Sequence, residues 1–490
     1  MNATENLSSG VSAFEHYMLV DDRPKYPMVV WFVMTFQGQA EEARLSAALN
    51  QALTHHPMLS SHLIGDRRGL RAKLLWRHVK NATVYLDVGP EGSPLRFPTA
   101  QTPESENIAN EDRKSPIAID LSREIGVRAF LRQGRENCTV HFQFHHSVTD
   151  GLGAMGFLEE VLRYYDGAGA KVAIPPRQPA LLKRRHLCGL NPWQILRVIP
   201  LFLVRAYRFY LSNPEPLSLG SSGSSNGLVG DAALQCPARE CGQLSAPELV
   251  HLKSASRKHG ASINDALLTY VFSSVDSWQR VKQLSDGKKR KRRVRVLVPV
   301  NMRQAQDHLM SAANMIGMVF IDRRGSLFDR PGQLLQSIVK EMGAVKRHSL
   351  GFALNFATGL GGYVRGGVRA VASQCLTWRC AATVVFSNLG DPLANSDLPR
   401  DDSGQIVTGG LTLTCLEALP PLRLFTNMGI AVVTYAGRLT MTVHYDHTII
   451  SKQDARFLLN GVLAAARAAH VVPASDPLEV RGGGRLQADF

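Results

Sequence analysis

Within one short stretch the hydrophobic period changes from two to helical, and that change limits the folds open to this chain. Cys138 to Phe144 alternates, with Val140, Phe142 and Phe144 on one face and His141 and Gln143 on the other, which predicts a strand. Ala154 to Tyr165 then repeats at helical spacing, placing Leu158, Val161, Leu162 and Tyr165 on one side. Between them lies His145-His146-Ser147-Val148-Thr149-Asp150-Gly151. A strand end followed by a turn projects side chains into a cleft while the flanking elements hold them rigid. Elsewhere Arg44 to Leu53 reads as a helix, and Val294 to Val300 and Thr383 to Phe386 read as strands. Gly429 to Tyr435 and Leu439 to Tyr445 predict a hairpin about Ala436-Gly437-Arg438. Strands and helices mix throughout, so the class is α/β (α+β).

A chain of 490 residues with 44% hydrophobic and 20% charged residues can bury a large core and divide into two domains. Three prolines between Ile174 and Pro179 end a helical pattern, and residues 220–227 are a Gly/Ser tract. The expected division is an N-terminal domain over 1–178, a connecting segment over 179–230 and a C-terminal domain over 231–490, with a glycine-rich tail opening at 482–484. The longest apolar run near a membrane-spanning pattern, Val198 to Val204, is closed by Arg197 and Arg205. Seven cysteines without a C-x-x-C pair give no zinc framework and read as reduced thiols of a cytoplasmic protein. Met1 to Gly10 has neither the basic nor the apolar region of a signal peptide. The excess of 56 Lys+Arg over 41 Asp+Glu, a net +15, favours anionic partners without choosing among them.

The heptad from His145 to Gly151 carries chemistry. Histidine titrates near neutrality, so one at a strand end can take a proton from an alcohol, amine or thiol as it attacks. Asp150 can fix the loop through an ion pair and backbone hydrogen bonds. Gly151 leaves room for a substrate or for a turn. The bland reading of the paired histidines is a polar strand terminus.

The H-H-x-x-x-D-G pattern resembles the signature of the acyltransferase superfamily that includes chloramphenicol acetyltransferase, peptide-synthetase condensation domains, plant alcohol acyltransferases, polyketide-associated acyltransferases and bacterial wax ester synthases/diacylglycerol acyltransferases. Further strings are similar to the last group: Ala13-Phe14-Glu15 leading to Tyr26-Pro27-Met28, then His56-Pro57-Met58-Leu59, Ser262-Ile263-Asn264-Asp265, Val298-Pro299-Val300-Asn301-Met302-Arg303 and Ser387-Asn388-Leu389-Gly390-Asp391-Pro392. They run in family order over most of the chain. No Asp-Phe-Gly-Trp-Gly string is present, which argues against the plant type, and Gly-Asp-Pro stands where the wax synthase pattern has Pro-Gly-Pro.

The resemblance implies a two-domain chloramphenicol-acetyltransferase-like fold with a tunnel between the domains. The implied activity is transfer of an acyl group from acyl-CoA to a hydroxyl, on a long-chain alcohol or diacylglycerol. His146 would be the general base, His145 a neighbour facing away from substrate, and Asp150 the partner of Arg303, which otherwise reads as a strand-end arginine. Acyl-CoA is a co-substrate, no cofactor is bound permanently and no metal is implied. A carrier-protein thioester donor, an amine acceptor, or a non-catalytic acyl-CoA- or lipid-binding protein stay open.

Other residues carry two readings each. Asn264 lies near the acyl donor by resemblance, while Ser262 and Asp265 suit a helix cap running to about Trp278. Ser387 and Asn388, following the strand Thr383 to Phe386, can donate to an oxyanion or form a simple turn. Residues 181–212 hold six Lys or Arg and no acid, interleaved with aromatic and aliphatic residues. They suit peripheral contact with an anionic membrane, or a crossover packed on the protein and kinked at Pro200. The run Lys288 to Arg293 reads as a solvated loop and not as a nucleic-acid signal. Gly359 to Gly367 follows no strand and does not suit a phosphate loop, and His55 and His56 read as structural.

Overall fold

The computed structural model describes residues 8–65, 74–98, 116–167, 177–188, 190–217, 237–286, 292–352 and 380–468. The Gly/Ser tract at 220–227, residues 288–291 of the basic run, 359–367 and the tail at 482–484 lie outside them.

The first half begins with β1 (Ser8–Gly10), α1 (Ala13–Asp21), β2 (Val29–Gln37), α2 (Glu42–Leu53), β3 (Ser61–Ile64) and β4 (Leu75–His78). It continues with β5 (Tyr85–Pro90), β6 (Val127–Gln133), β7 (Asn137–His145), α3 (Gly151–Asp166) and α4 (Pro192–Leu211). The second half runs β8 (Arg239–Leu244), α5 (Ala246–Lys258), α6 (Ile263–Asp286), β9 (Arg293–Asn301), β10 (Ile316–Arg324), α7 (Gly325–Phe328) and α8 (Pro331–Arg347). Then come β11 (Val384–Asn388), β12 (Val407–Thr408), β13 (Leu411–Leu419), β14 (Met428–Tyr435), β15 (Arg438–Tyr445) and α9 (Lys452–Ala468).

Two six-stranded sheets organise these elements, ordered β12-β13-β2-β7-β6-β5 and β10-β9-β11-β14-β15-β8, beside a small β1-β4-β3 sheet. Strand β7 is central in the first sheet and buried on both faces, which places its C-terminal end, where the histidines emerge, deep in the molecule. Helix α3 follows directly and packs on α2, with its Phe157, Leu158, Val161 and Leu162 buried in the same core. A separate core fills the second half around Phe272, Val296, Phe386 and Met441. Phe14, Tyr17 and Met18 of α1 pack on Leu297, Met318 and Val385, tying the N-terminal segment to the second sheet.

The expected helices and strands are present, with differences that have local causes. The β14–β15 hairpin turns on Ala436 and Gly437, both at positive φ, so Arg438 opens the returning strand. Helix α6 continues past Trp278 to Asp286. Ser387 and Asn388 do not follow the strand but complete it, in register with Ala431 and Val432 of the parallel neighbour β14. Helix α4 runs through Pro200, which lies on its solvent side. The sheets also cross the sequence division at 231: β12 and β13, from 407–419, join the first sheet through β13–β2 pairing. Of the basic run, Arg292 forms ion pairs with Asp276 (2.9 Å) and Asp329 (3.2 Å), and Arg293 opens β9, so these two are not a loose solvated loop.

Candidate functional site

His146 is seated by its backbone on both sides. Its N–H donates to the Met28 carbonyl at 2.8 Å, and its carbonyl accepts from Asn314 Nδ2 at 2.7 Å. Its ring Nδ1 lies 2.9 Å from the Thr149 carbonyl, which can only accept, so Nδ1 carries the proton. The Nε2 lone pair is thereby left as the basic site. Burial pushes the His146 pKa below the ordinary value of 6.5; Arg423 and His145 push the same way, against the Thr149 carbonyl and Asp150. The ring is therefore neutral at pH 7, the state a base requires.

His145 is turned elsewhere. Its Nδ1 accepts from the Ser147 N–H (3.2 Å) and meets Ser147 Oγ (2.8 Å), while Nε2 faces Asp22 at 3.6 Å.

Asp150 caps α3 and is fully buried. One carboxylate oxygen accepts from the Gly153 N–H at 2.8 Å. The other accepts from Arg303 Nη1 and the Met315 N–H, both at 2.7 Å. Arg303 also donates to the Ala313 carbonyl at 2.9 Å, so the guanidinium from the second half holds both the motif loop and the segment beside it. These three bonds make Asp150 a structural link between the motif loop, α3 and the second half.

A cavity of about 870 Å³, counting its solvent-open part, lies between the two sheets. His146, Gly151, Asn301, Ser387, Asn388 and Arg423 supply the functional groups on a wall that is otherwise apolar, with Trp31, Phe32, Leu297 and Met318 among its residues. The structure thus brings His146, Gly151, Ser387 and Asn388 together at one cavity, with Asp150 and Arg303 directly behind. Asn388 Oδ1 accepts from the Gly390 N–H at 2.9 Å, which leaves its amide group for the cavity. A Cβ on Gly151 would stand 2.6 Å from Leu389 Cδ2, so the glycine lets the β11 turn close on the start of α3. Neither His145 nor Asn264 lines the cavity. Asn264 sits in the first turn of α6, where Ser262 and Asp265 form a reciprocal cap: Asp265 accepts from the Ser262 N–H (2.9 Å), and its own N–H donates to Ser262 Oγ (3.2 Å). Among the described residues no cluster of three or more His, Cys, Asp or Glu could hold a metal.

Sequence reasoning missed three parts of the site. The first is the segment Ala312 to Met315. Ala312 N–H donates to His56 Nδ1 (2.8 Å), the Ala313 carbonyl accepts from Asp150 N–H (3.3 Å), and Asn314 and Met315 make the bonds already described. The second is the group around buried Glu160 of α3, which meets His55 (3.0 Å), His56 (3.4 Å) and Arg177 (2.5 Å). Burial alone would raise the Glu160 pKa, but the His56 hydrogen bond and Arg177 outweigh it and hold it at about 2. The third is Arg423, in the cavity wall, which donates to Tyr17 (3.1 Å) and pairs with Asp21 (3.2 Å). A lone arginine after Pro420-Pro421-Leu422 carries no local signal, and a carbonyl or N–H carries none at all.

No family model matches the chain. Two curated relatives from Mycobacterium tuberculosis, Uncharacterized protein MT2362 and Uncharacterized protein Rv2305, are each 28% identical over 187 residues. That match spans 37% of this chain and 38% of each relative. Solved structures match over almost the whole length. The first condensation domain of the CDA synthetase superposes with a TM-score of 0.59 at 15% identity, covering 97% of this chain and 98% of that one. TRI3 trichothecene 15-O-acetyltransferase from Fusarium sporotrichioides gives 0.63 at 11% identity, covering 96% of each chain. A variant of the starter condensation domain of rhizomide synthetase RzmA, in complex with C8-CoA, gives 0.60 at 15% identity, covering 94% of each. The chain has the mixed α/β, two-domain fold of condensation domains and chloramphenicol-acetyltransferase-like acyltransferases.

Proposed function

We propose that the protein is an O-acyltransferase that moves an acyl group from acyl-CoA to a hydroxyl acceptor, with His146 as general base. The observation that carries this reading is the His146 ring, neutral, locked in one tautomer by the Thr149 carbonyl, and lining a largely apolar cavity. The acceptor hydroxyl gives its proton to Nε2 as its oxygen attacks the thioester carbonyl carbon. Ser387 Oγ–H and the Asn388 amide supply donors for the resulting oxyanion. Collapse re-forms the carbonyl and breaks the C–S bond, and the proton held on Nε2 passes to the departing thiolate. The products are the ester and free CoA, and no acyl-enzyme forms.

The apolar wall suits a long acyl chain and a lipid acceptor, a long-chain alcohol or diacylglycerol. A condensation-type reaction, with a carrier-protein thioester or an amine acceptor, is the second reading, and the likeness to condensation domains favours keeping it. Free CoA released from palmitoyl-CoA, measured with and without each acceptor, tests the first reading. Acceptor-dependent release that falls about 10²–10⁴-fold in His146→Ala, with circular dichroism unchanged, supports it. Near-wild-type release in that variant overturns the base assignment. Acyl-CoA bound without release across the acceptor panel moves the reading to a carrier-protein donor or a binding role.

A further inference from the structure

Helix α4 carries an apolar row that is mostly exposed. Trp193, Leu196, Leu203, Val204, Tyr207 and Leu211 recur at three- and four-residue intervals with Pro200 between them, so they share one face. Each is more than half exposed, from 51% at Val204 to 74% at Trp193. A contiguous exposed apolar row of this size marks an interaction surface.

On the opposite face, Phe209, Arg205 and Ile195 hold the helix to the second half. Phe209 packs on Phe320 with ring centroids 4.8 Å apart and lies under the Arg295 guanidinium at 4.2 Å. Arg205 pairs with Glu341 at 3.0 Å, and Ile195 packs against Cys188, Leu190, Met302 and Phe352. The helix is thus anchored, with its apolar row turned outward.

Charge indicates what meets that row. Arg197 and Arg208 are exposed along one flank, neither has an ion pair among the described residues, and 181–212 contains no Asp or Glu. An apolar face that includes Trp and Tyr, with an arginine flank, matches a bilayer interface, where rings and stems sit among headgroups and guanidinium groups meet lipid phosphate. No helix among the described residues is long and apolar enough to cross a membrane, and α4 carries Arg197, Arg205 and Arg208 along its length.

We infer that α4 docks the protein onto an anionic lipid surface through this row, with Arg197 and Arg208 on the headgroups. The place of the contact matters for the site. Met302, packed in the cluster under Ile195, stands between Asn301 of the cavity wall and Arg303, the partner of Asp150. A membrane on α4 would bring a lipid acceptor close to the cavity. Docking does not depend on acyl transfer; delivery of an acceptor rests on that reading.

The test is flotation of the full chain with phosphatidylglycerol/phosphatidylcholine vesicles and with pure phosphatidylcholine vesicles. Wild type is expected to float with the anionic vesicles. Leu203→Glu/Tyr207→Glu, at exposed positions, is expected to lose about tenfold or more in partition, and Arg197→Gln/Arg208→Gln to lose the preference for phosphatidylglycerol. CoA release to a water-soluble alcohol should be unchanged in both variants. Wild type that stays with the soluble fraction, or a double-glutamate variant that floats as well as wild type, overturns the inference. It is equally overturned if wild type does not float and gel filtration shows the glutamate variant converting a dimer to a monomer, since the row would then join two copies. Flotation without turnover sinks the acyl-transfer reading and leaves docking standing.

Discussion

Asp150→Asn tests the site architecture because it keeps the shape and removes one acceptor. Three N–H donors converge on the two carboxylate oxygens: Gly153 on one, Arg303 and Met315 on the other. An asparagine has one oxygen, so its NH₂ must oppose a donor. If the amide oxygen faced Gly153, the NH₂ would meet both the guanidinium and the Met315 N–H, so the oxygen turns toward Arg303. The cap bond to Gly153 is then lost, which costs about 1 kcal/mol. The charge-assisted bond to Arg303 becomes a neutral-acceptor bond, which costs about another 1 kcal/mol, and the buried, opposed N–H groups add about 1 kcal/mol or more. The expected destabilisation is about 2–4 kcal/mol, read as a shift in the urea midpoint by tryptophan fluorescence. Arg303→Met alone strands a buried carboxylate and should cost about 3–5 kcal/mol. In the double variant the asparagine no longer needs the guanidinium, so the two costs should fall short of their sum by about 1 kcal/mol or more. Additivity within about 0.5 kcal/mol, or an Asp150→Asn protein as stable as wild type, refutes the claim that this pair holds the motif loop to the second half.

The other expectations follow from the same geometry. Since burial holds the His146 pKa below 6.5, CoA release should stay flat across neutral pH and fall only below about that value, and a limb centred above about pH 7 in kcat/KM contradicts the neutral-base reading. Gly153→Ala would bring a Cβ to 2.5 Å from Thr149 Oγ1 and 2.9 Å from the Ala313 carbonyl, so it should lower stability by about 1–3 kcal/mol. Gly151→Ala should cost less, because the conflict there is with the flexible end of Leu389, and an equal loss of Tm in both variants contradicts the contact argument. Burial, reinforced by Arg239 and Arg132, depresses His141 to about 3, and burial, against the Pro420 carbonyl, depresses His444 to about 4. The unfolded chain therefore binds protons at these histidines first, so stability present above about pH 6.5 should decline as pH falls toward those values, by up to about 1.4 kcal/mol per histidine per pH unit. Urea midpoints that do not drop between about pH 7.5 and about pH 5 refute this.

What the letters made legible was the part of the site that works through side chains on periodic elements. The switch from the alternation of 138–144 to the helical spacing of 154–165 marks β7 and α3, so the histidines must lie where the strand gives way to the helix, with His145 ending β7 and His146 in the turn. Pairing is another matter. Strand β13 is not among the strands expected from the sequence, and nothing local says that it joins β2 across the sequence division. Arg303 lies 153 residues from Asp150, so spacing could not join them and only the resemblance suggested it. The deepest gap is physical: Ala313 and Met315 support the motif loop, and Ala312 holds His56, through main-chain N–H and carbonyl groups, and those groups are identical in every non-proline residue. A sequence motif records the side chains that do the chemistry, whereas the loop that seats them is fixed by backbone path. Asn314 is the exception in that run. Its side chain holds the His146 carbonyl, so it is the one member whose identity the seating of the base demands.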